Sequence, residues 1–258
     1  MSGRLRGALR GRARTLALAL NPFRRGVEDP NRPLSLDMGA DSGTLLIAFG
    51  GMQGQLGMPP FEFFKATGAI PVKKLFVRDL RQAWYHRGIP GHGESIEQVA
   101  AALSEIARRG GARRLVCTGN SAGGYAALLF GTLLEADVVL CFAPQTVIDL
   151  PALAAMDDHR WDEQLLALQG ALDSRYTDLA QALGPARQGA TAYEVYFDDT
   201  FAVDRMHAER LAGLEGLALH RLQGGAHGVV REMREAGELD RVLQEALRTR
   251  APAGRAFS

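Results

Sequence analysis

Leu115–Val116–Cys117–Thr118–Gly119–Asn120–Ser121–Ala122–Gly123–Gly124–Tyr125–Ala126–Ala127–Leu128–Leu129 is the stretch on which the reading of this chain turns. An apolar strand runs into a turn of small residues carrying one serine, and an Ala/Leu-rich helix follows. A serine on such a turn is pushed clear of the backbone, with its hydroxyl at the top of a sheet. Glycines two before and two after it let strand and helix approach closely, where any larger side chain would clash. With 8 serines and 30 glycines in 258 residues, roughly 0.1 Gly-x-Ser-x-Gly matches arise by chance, before a strand in front and a helix behind are required. That context makes Ser121 a candidate nucleophile.

Around this stretch the chain alternates apolar runs with helical patterns. Leu34–Met38 is a short edge strand, and Thr44–Phe49 is a continuous apolar run closed by Gly50–Gly51. Continuous runs bounded by glycine suit parallel strands covered on both faces. A short helix over Pro59–Thr67 precedes a strand at Val72–Val77. Ser95–Arg108 has helical periodicity through Ile96, Val99, Ala100, Leu103 and Ile106, and stops at Gly110–Gly111. Arg113–Thr118 feeds the serine turn, Ser121–Leu134 is the helix after it, and Asp137–Phe142 is the next strand. Residues 145–190 break the rhythm with helix-rich sequence, and they are expected to form a helical cap. Strand Ala192–Phe197, helix Arg205–Gly213, strand Leu217–Leu222 and an amphipathic helix Val229–Arg248 complete the pattern. The expected fold is α/β: a doubly wound, mostly parallel sheet flanked by helices, with a cap insertion. Residues 1–33 are expected to be a basic flexible arm, 34–250 the domain, and 251–258 a flexible tail.

Composition limits the alternatives. The chain is 47% hydrophobic and 23% charged, with a net charge of +1, which offers no global case for a nucleic-acid partner. The charge is uneven. Residues 1–25 hold seven arginines and no acid; taking those from the 30 Lys and Arg leaves 23 against 29 acids. The apolar run Leu16–Leu20 is too short to span a bilayer, and no other segment approaches that length, so a cytoplasmic location is expected. Cys117 and Cys141 sit in strand-like runs and are expected to be buried core thiols. Neither has a second ligand at metal spacing, and no metal or cofactor is expected.

These residues resemble the α/β-hydrolase fold superfamily over roughly residues 44–248. The most specific element is the strand–Gly119-Asn120-Ser121-Ala122-Gly123–helix elbow, supported by the chain order of nucleophile, acid and histidine. The resemblance implies that Ser121 attacks with His227 as its base. His227 lies in Gln223–Gly224–Gly225–Ala226–His227–Gly228, after the last strand and before the last helix. The acid that orients His227 is taken as Asp199, at the end of strand Tyr193–Phe197, with Asp204 and Asp198 as alternates. Asp204 also opens a helix, where N-capping is its simplest role. The oxyanion donors are expected to be the backbone N–H of Ala122 and of Gly51 or Met52. The family often carries His-Gly in that loop; this chain has Phe49–Gly50, so the ranking of Gly51 and Met52 stays open. Trp84, Tyr85, Arg78 and Trp161 are candidates for the substrate pocket. For Arg78, a pairing with Asp79 that merely fixes the loop is an equal alternative.

The resemblance implies a serine hydrolase cleaving an ester or thioester through an acyl-serine intermediate, on a small-molecule or carrier-bound acyl substrate. The alternatives are an acyltransferase or cyclase using the same three residues, and a non-catalytic small-molecule-binding protein on the same scaffold. An arginine arm that binds nucleic acid or anionic lipid is a separate idea.

Overall fold

The strands assemble into one sheet because their apolar residues alternate between two faces that are both covered. In the computed structural model, which describes residues 29, 31–52, 63–184 and 191–248, the strands are β1 (Leu34–Asp37), β2 (Thr44–Phe49), β3 (Lys73–Val77), β4 (Arg114–Asn120), β5 (Val138–Phe142), β6 (Ala192–Asp198) and β7 (Leu217–Leu222). Among the described residues they form a seven-stranded sheet in the order β1-β3-β2-β4-β5-β6-β7. β1 is antiparallel to β3, and every other pairing is parallel. This is the expected architecture.

In β2, Leu45, Ile47 and Phe49 join one hydrophobic core while Leu46 and Ala48 join the other. The first core receives helices α2 (Ile96–Arg109) and α3 (Ala122–Leu133). In α2 the buried residues Ile96, Val99, Leu103 and Ala107 make one stripe, and the Ser95 hydroxyl caps its start by accepting from Gln98 N. α3 is buried on all sides from Ala122 to Thr132, as an all-apolar helix must be. The short α1 (Phe64–Thr67) begins inside the span expected for it; residues 53–62 lie outside the described residues. So do most of the arginine arm, the tail at 251–258, and residues 185–190 of the expected cap.

Between β5 and β6 come α4 (Leu150–Ala155), α5 (Asp162–Ala167) and α6 (Leu179–Ala182). After β6 comes α7 (Ala202–Glu209), which starts three residues earlier than the sequence suggests. The expected terminal helix is two: α8 (Val229–Glu235) and α9 (Glu238–Arg248). Gly237 takes a left-handed φ of 73° between them, and that conformation cannot continue a right-handed helix. Cys117 and Cys141 are both free and buried, and burial pushes their thiols up from the usual range.

The strand order positions the site. The chain moves from β2 to β3 on one side, then crosses to β4 on the other, so the winding reverses between β2 and β4. Crevices at the carboxyl ends of strands open at such a reversal. Phe49 pairs with Gly119 at that end of the two strands, placing the Gly50–Met52 loop beside Ser121.

Candidate active site

Three close approaches of backbone to backbone shape the turn at Ser121. A Cβ on Gly119 would stand 2.0 Å from the Gly123 carbonyl oxygen, and one on Gly123 would stand 2.4 Å from that of Phe49. A Cβ on Gly124 would stand 2.9 Å from Pro144 Cα. No side chain fits those gaps, so the glycines are required by packing. Ser121 itself has φ 55° and ψ −120°, a strained conformation for a residue with a Cβ. Its backbone is held on both sides: its N–H donates to Phe142 O at 3.0 Å, and its carbonyl accepts from Tyr125 N and Gln145 N. The hydroxyl makes no capping bond to α3. It lies 2.9 Å from His227 Nε2.

His227 sits in a 3-10 turn, Ala226–Gly228, directly after β7. Gly224, Gly225 and Ala226 all have positive φ, which swings the loop back over the sheet end. Asp198 anchors that loop: Oδ2 accepts from Ala226 N at 2.7 Å, and Oδ1 accepts from the backbone and hydroxyl of Thr200. Burial works against the Asp198 charge, but these hydrogen bonds outweigh it and hold the carboxyl below the usual range. Asp198 therefore builds the histidine loop without touching the imidazole.

The carboxylate on His227 belongs to Asp204. Its Oδ2 and Oδ1 lie 2.8 and 3.0 Å from His227 Nδ1, and its side chain is 1% exposed. The expectation of N-capping fails because α7 begins at Ala202 with Phe201 at its cap. Asp204 is then the third helical residue and its side chain turns toward the sheet end. Asp199, taken from the sequence as the acid, does not reach His227. It lies in the turn just past the end of β6, its N–H donates to Leu222 O, and its carboxylate pairs with Arg221. The structure thus brings Ser121, His227 and Asp204 into one hydrogen-bonded chain and leaves Asp199 outside it.

Beside the elbow, Gly50 N donates to Val77 O at 2.8 Å, which leaves the amides of Gly51 and Met52 as the loop's expected donors. The loop is pressed against the elbow: the Cβ position of Gly123 lies 3.1 Å from Gly51 N. Ala122 opens α3, where the first N–H groups have no partner within the helix and the dipole favours negative charge.

Trp84 and Tyr85, expected at the substrate pocket, are each 1% exposed and pack into the first core. Asp79 makes this fold possible, its carboxylate accepting from the N–H groups of Arg81, Ala83 and Tyr85. These bonds hold Gln82, Trp84 and Tyr85 at left-handed φ values of 49–66°. Arg78 is buried and donates to the Asp29 carbonyl at 3.1 Å. Tyr85 Oη donates to Gly50 O at 2.9 Å and so steadies the loop beside the elbow. Trp84 Nε1 donates to Gln145 Oε1 at 2.8 Å, and its ring meets half-buried Trp161 edge-on at 5.7 Å.

Three further polar residues at this end were not visible from sequence. Gln145 is fully buried under the elbow, and its amide nitrogen has no hydrogen-bond partner among the described residues. Asp158 and Arg160 reach the acid side of His227 from the segment between β5 and β6. Their only signal was a charged run, Asp157–Asp158–His159–Arg160, inside a helix-rich stretch. Among the described residues, no group of three His, Cys, Asp or Glu is arranged to hold a metal ion, and no helix is long and apolar enough to cross a membrane.

No family model and no curated relative matches the chain. Solved structures do match it. The capsule O-acetyltransferase of Neisseria meningitidis serogroup A superposes with a TM-score of 0.60 at 13% identity, covering 82% of this chain and 90% of that one. The esterase LipW from Mycobacterium marinum gives 0.55 at 17% identity, over 83% and 76%. MGS-MChE2, an α/β-hydrolase enzyme from a lagoon-sediment metagenome of Mar Chica, Morocco, gives 0.52 at 17%, over 82% and 93%. The chain has the α/β-hydrolase fold.

Proposed function

We propose that the protein is a serine hydrolase that cleaves a carboxylic ester or thioester through an acyl-Ser121 intermediate. The observation that carries this reading is the unbroken chain Ser121 Oγ–His227 Nε2 and His227 Nδ1–Asp204 at 2.9 and 2.8 Å. A serine hydroxyl becomes a useful nucleophile only when a base takes its proton. Ser121 Oγ attacks the carbonyl carbon while His227 Nε2 takes the proton, and Asp204 stabilises the imidazolium. The negative oxygen of the tetrahedral intermediate is held by the N–H of Ala122 and of Gly51 or Met52. His227 then gives its proton to the leaving alcohol or thiol. Water then attacks the acyl carbon, giving a proton to His227, which returns it to Ser121 Oγ as the C–O bond breaks and the acid leaves.

The O-acetyltransferase among the structural neighbours favours a second reading, in which an alcohol takes the place of water. The elbow chemistry is the same in both.

The test is labelling with a fluorophosphonate probe together with hydrolysis of p-nitrophenyl esters. Native protein is expected to label on Ser121, and Ser121→Ala and His227→Ala to lose labelling and turnover together. Equal labelling of Ser121→Ala would refute the reading. Adding an alcohol and measuring transesterified product separates the two acceptors.

A further inference from the structure

The segment between β5 and β6 sends one cation to the acid side of His227. Arg160 grips Asp158 with two parallel bonds, Nε to Oδ1 at 2.7 Å and a terminal nitrogen to Oδ2 at 2.8 Å. Its other terminal nitrogen lies 3.3 Å from Asp204 Oδ1 and 3.3 Å from His227 Nδ1. The approach to His227 is not a hydrogen bond, because Nδ1–H is already directed at Asp204 and both nitrogens are donors. Arg160 therefore bridges two carboxylates that are each 1% exposed.

His207 completes the group. The backbone N–H of Thr146 donates to His207 Nδ1 at 3.1 Å, which makes that nitrogen an acceptor. The proton must then be on Nε2, which donates to Asp158 Oδ2 at 3.1 Å. His207 is a neutral donor, in keeping with burial, which lowers its proton affinity. Burial also opposes the charge of Asp158, but Arg160 and His207 outweigh it and hold that carboxyl far below the usual range.

The charges in this cluster can be counted. Asp158 and Asp204 carry two negative charges, Arg160 one positive, and neutral His207 and His227 none. The resting cluster has one net negative charge, and it becomes neutral when a proton arrives on His227. Without Arg160, two buried carboxylates would face each other uncompensated, a situation relieved by protonating one of them. A protonated Asp204 no longer holds the imidazolium.

Resting on the reading of Ser121, His227 and Asp204 as catalytic, we propose that Arg160 is a positioning residue for Asp204. It cancels the charge of Asp158 and occupies Asp204 Oδ1, so that Oδ2 stays available to His227 Nδ1. The β5–β6 segment thereby supplies part of the catalytic apparatus.

The test uses Arg160→Met, Arg160→Ala, Arg160→Lys and the double variant Asp158→Asn/Arg160→Met in the full chain. Circular dichroism and melting check folding. With p-nitrophenyl acetate, Arg160→Met is expected to lose about 100-fold in kcat with KM within about threefold. Two rescues are expected. Millimolar guanidinium should restore part of the rate of Arg160→Ala. Asp158→Asn should restore about tenfold in the Arg160→Met background, because it removes the uncompensated charge while the amide oxygen it introduces still accepts from His207. Arg160→Lys should lie between Met and native. The proton NMR signal of His227 Nδ1–H, assigned by its loss in His227→Ala, reports the bond to Asp204 independently of turnover. It should shift or vanish in Arg160→Met and return in the double variant. A native kcat in Arg160→Met, or a loss with neither rescue and an unmoved proton signal, overturns the proposal. If native protein hydrolyses no ester, the functional reading fails, and the proton signal still decides the role of Arg160.

Discussion

The elbow and the segment between β5 and β6 meet at the same imidazole but are built in opposite ways. The elbow region, from β4 through α3, is buried almost throughout, and its shape comes from backbone packed against backbone. The β5–β6 segment consists of short helices that bury Leu153, Leu165 and Leu179 in the first core and add polar links to loops and to α7: Arg160 to Asp204, Asp173 N to His86, and Asp178 to Arg210 just after α7. The position of Ser121 is therefore set by sterics within a few residues of sequence. The environment of Asp204 is set by side chains that are distant in sequence. The first arrangement tolerates almost no substitution, and the second tolerates many that keep charge and hydrogen bonding.

Glycine substitutions give the widest contrast. Gly119→Ala places a Cβ 2.0 Å from a carbonyl oxygen and is expected to cost more than about 4 kcal/mol, read as a collapse of the urea midpoint. Gly170→Ala, in the β5–β6 segment, meets nothing within 4 Å and has only its φ of 78° to strain. It should cost about 1 kcal/mol. Comparable losses at the two sites would break the contrast.

Activity should divide two neighbouring acids sharply. Asp204→Asn is expected to lower kcat/KM by about 10²–10⁴, since the amide favours the wrong tautomer of His227. Asp199→Asn should stay within about threefold, because Asp199 serves a surface pair with Arg221. The reverse ranking would remove Asp204 from the catalytic chain.

His86 tests the seam between the two regions. It accepts from Asp173 N in the β5–β6 segment and donates to Tyr125 Oη of α3. Burial, opposed by the charge of Asp173, pushes it down to about 4 from an ordinary 6.5. Between those values the unfolded chain holds the extra proton, so stability rises with pH through that window and is lost as pH falls from about 6.5 toward 4. The contribution is on the order of 3 kcal/mol. His86→Gln, which keeps both hydrogen bonds, should flatten that part of a pH series of urea midpoints. An unchanged slope would show that another group carries it.

A smaller loss is expected at Tyr85. Tyr85→Phe removes the hydroxyl on Gly50 O and should lower kcat roughly threefold to tenfold, about 1 kcal/mol, with little change in melting.

These differences also explain what was legible in the sequence. β2, β4 and the serine turn were readable because continuous apolar runs and close-packing glycines are local signals. His227 was readable from its place after the last strand. The carboxylate that meets His227 was not, because Asp198, Asp199 and Asp204 look alike in sequence. Asp198 at the end of β6 turns to the Ala226 loop, Asp199 in the turn after it pairs with Arg221, and the start of α7 at Ala202 brings Asp204 to His227. The burial of Trp84 and Tyr85 was not legible, because it depends on left-handed backbone stabilised by Asp79, which no periodicity reports. Arg160 showed only as one member of a charged run; only the tertiary fold brings it to Asp204.

Everything proposed for this site depends on Ser121 carrying the acyl group. Mixing native protein with a p-nitrophenyl ester, quenching in acid within the first turnover and analysing the digest by mass spectrometry reads that adduct out. An acyl group is expected on the peptide containing Ser121, absent in Ser121→Ala and accumulating more slowly in Asp204→Asn. An adduct on another residue, or native turnover in Ser121→Ala, would exclude Ser121 as the nucleophile.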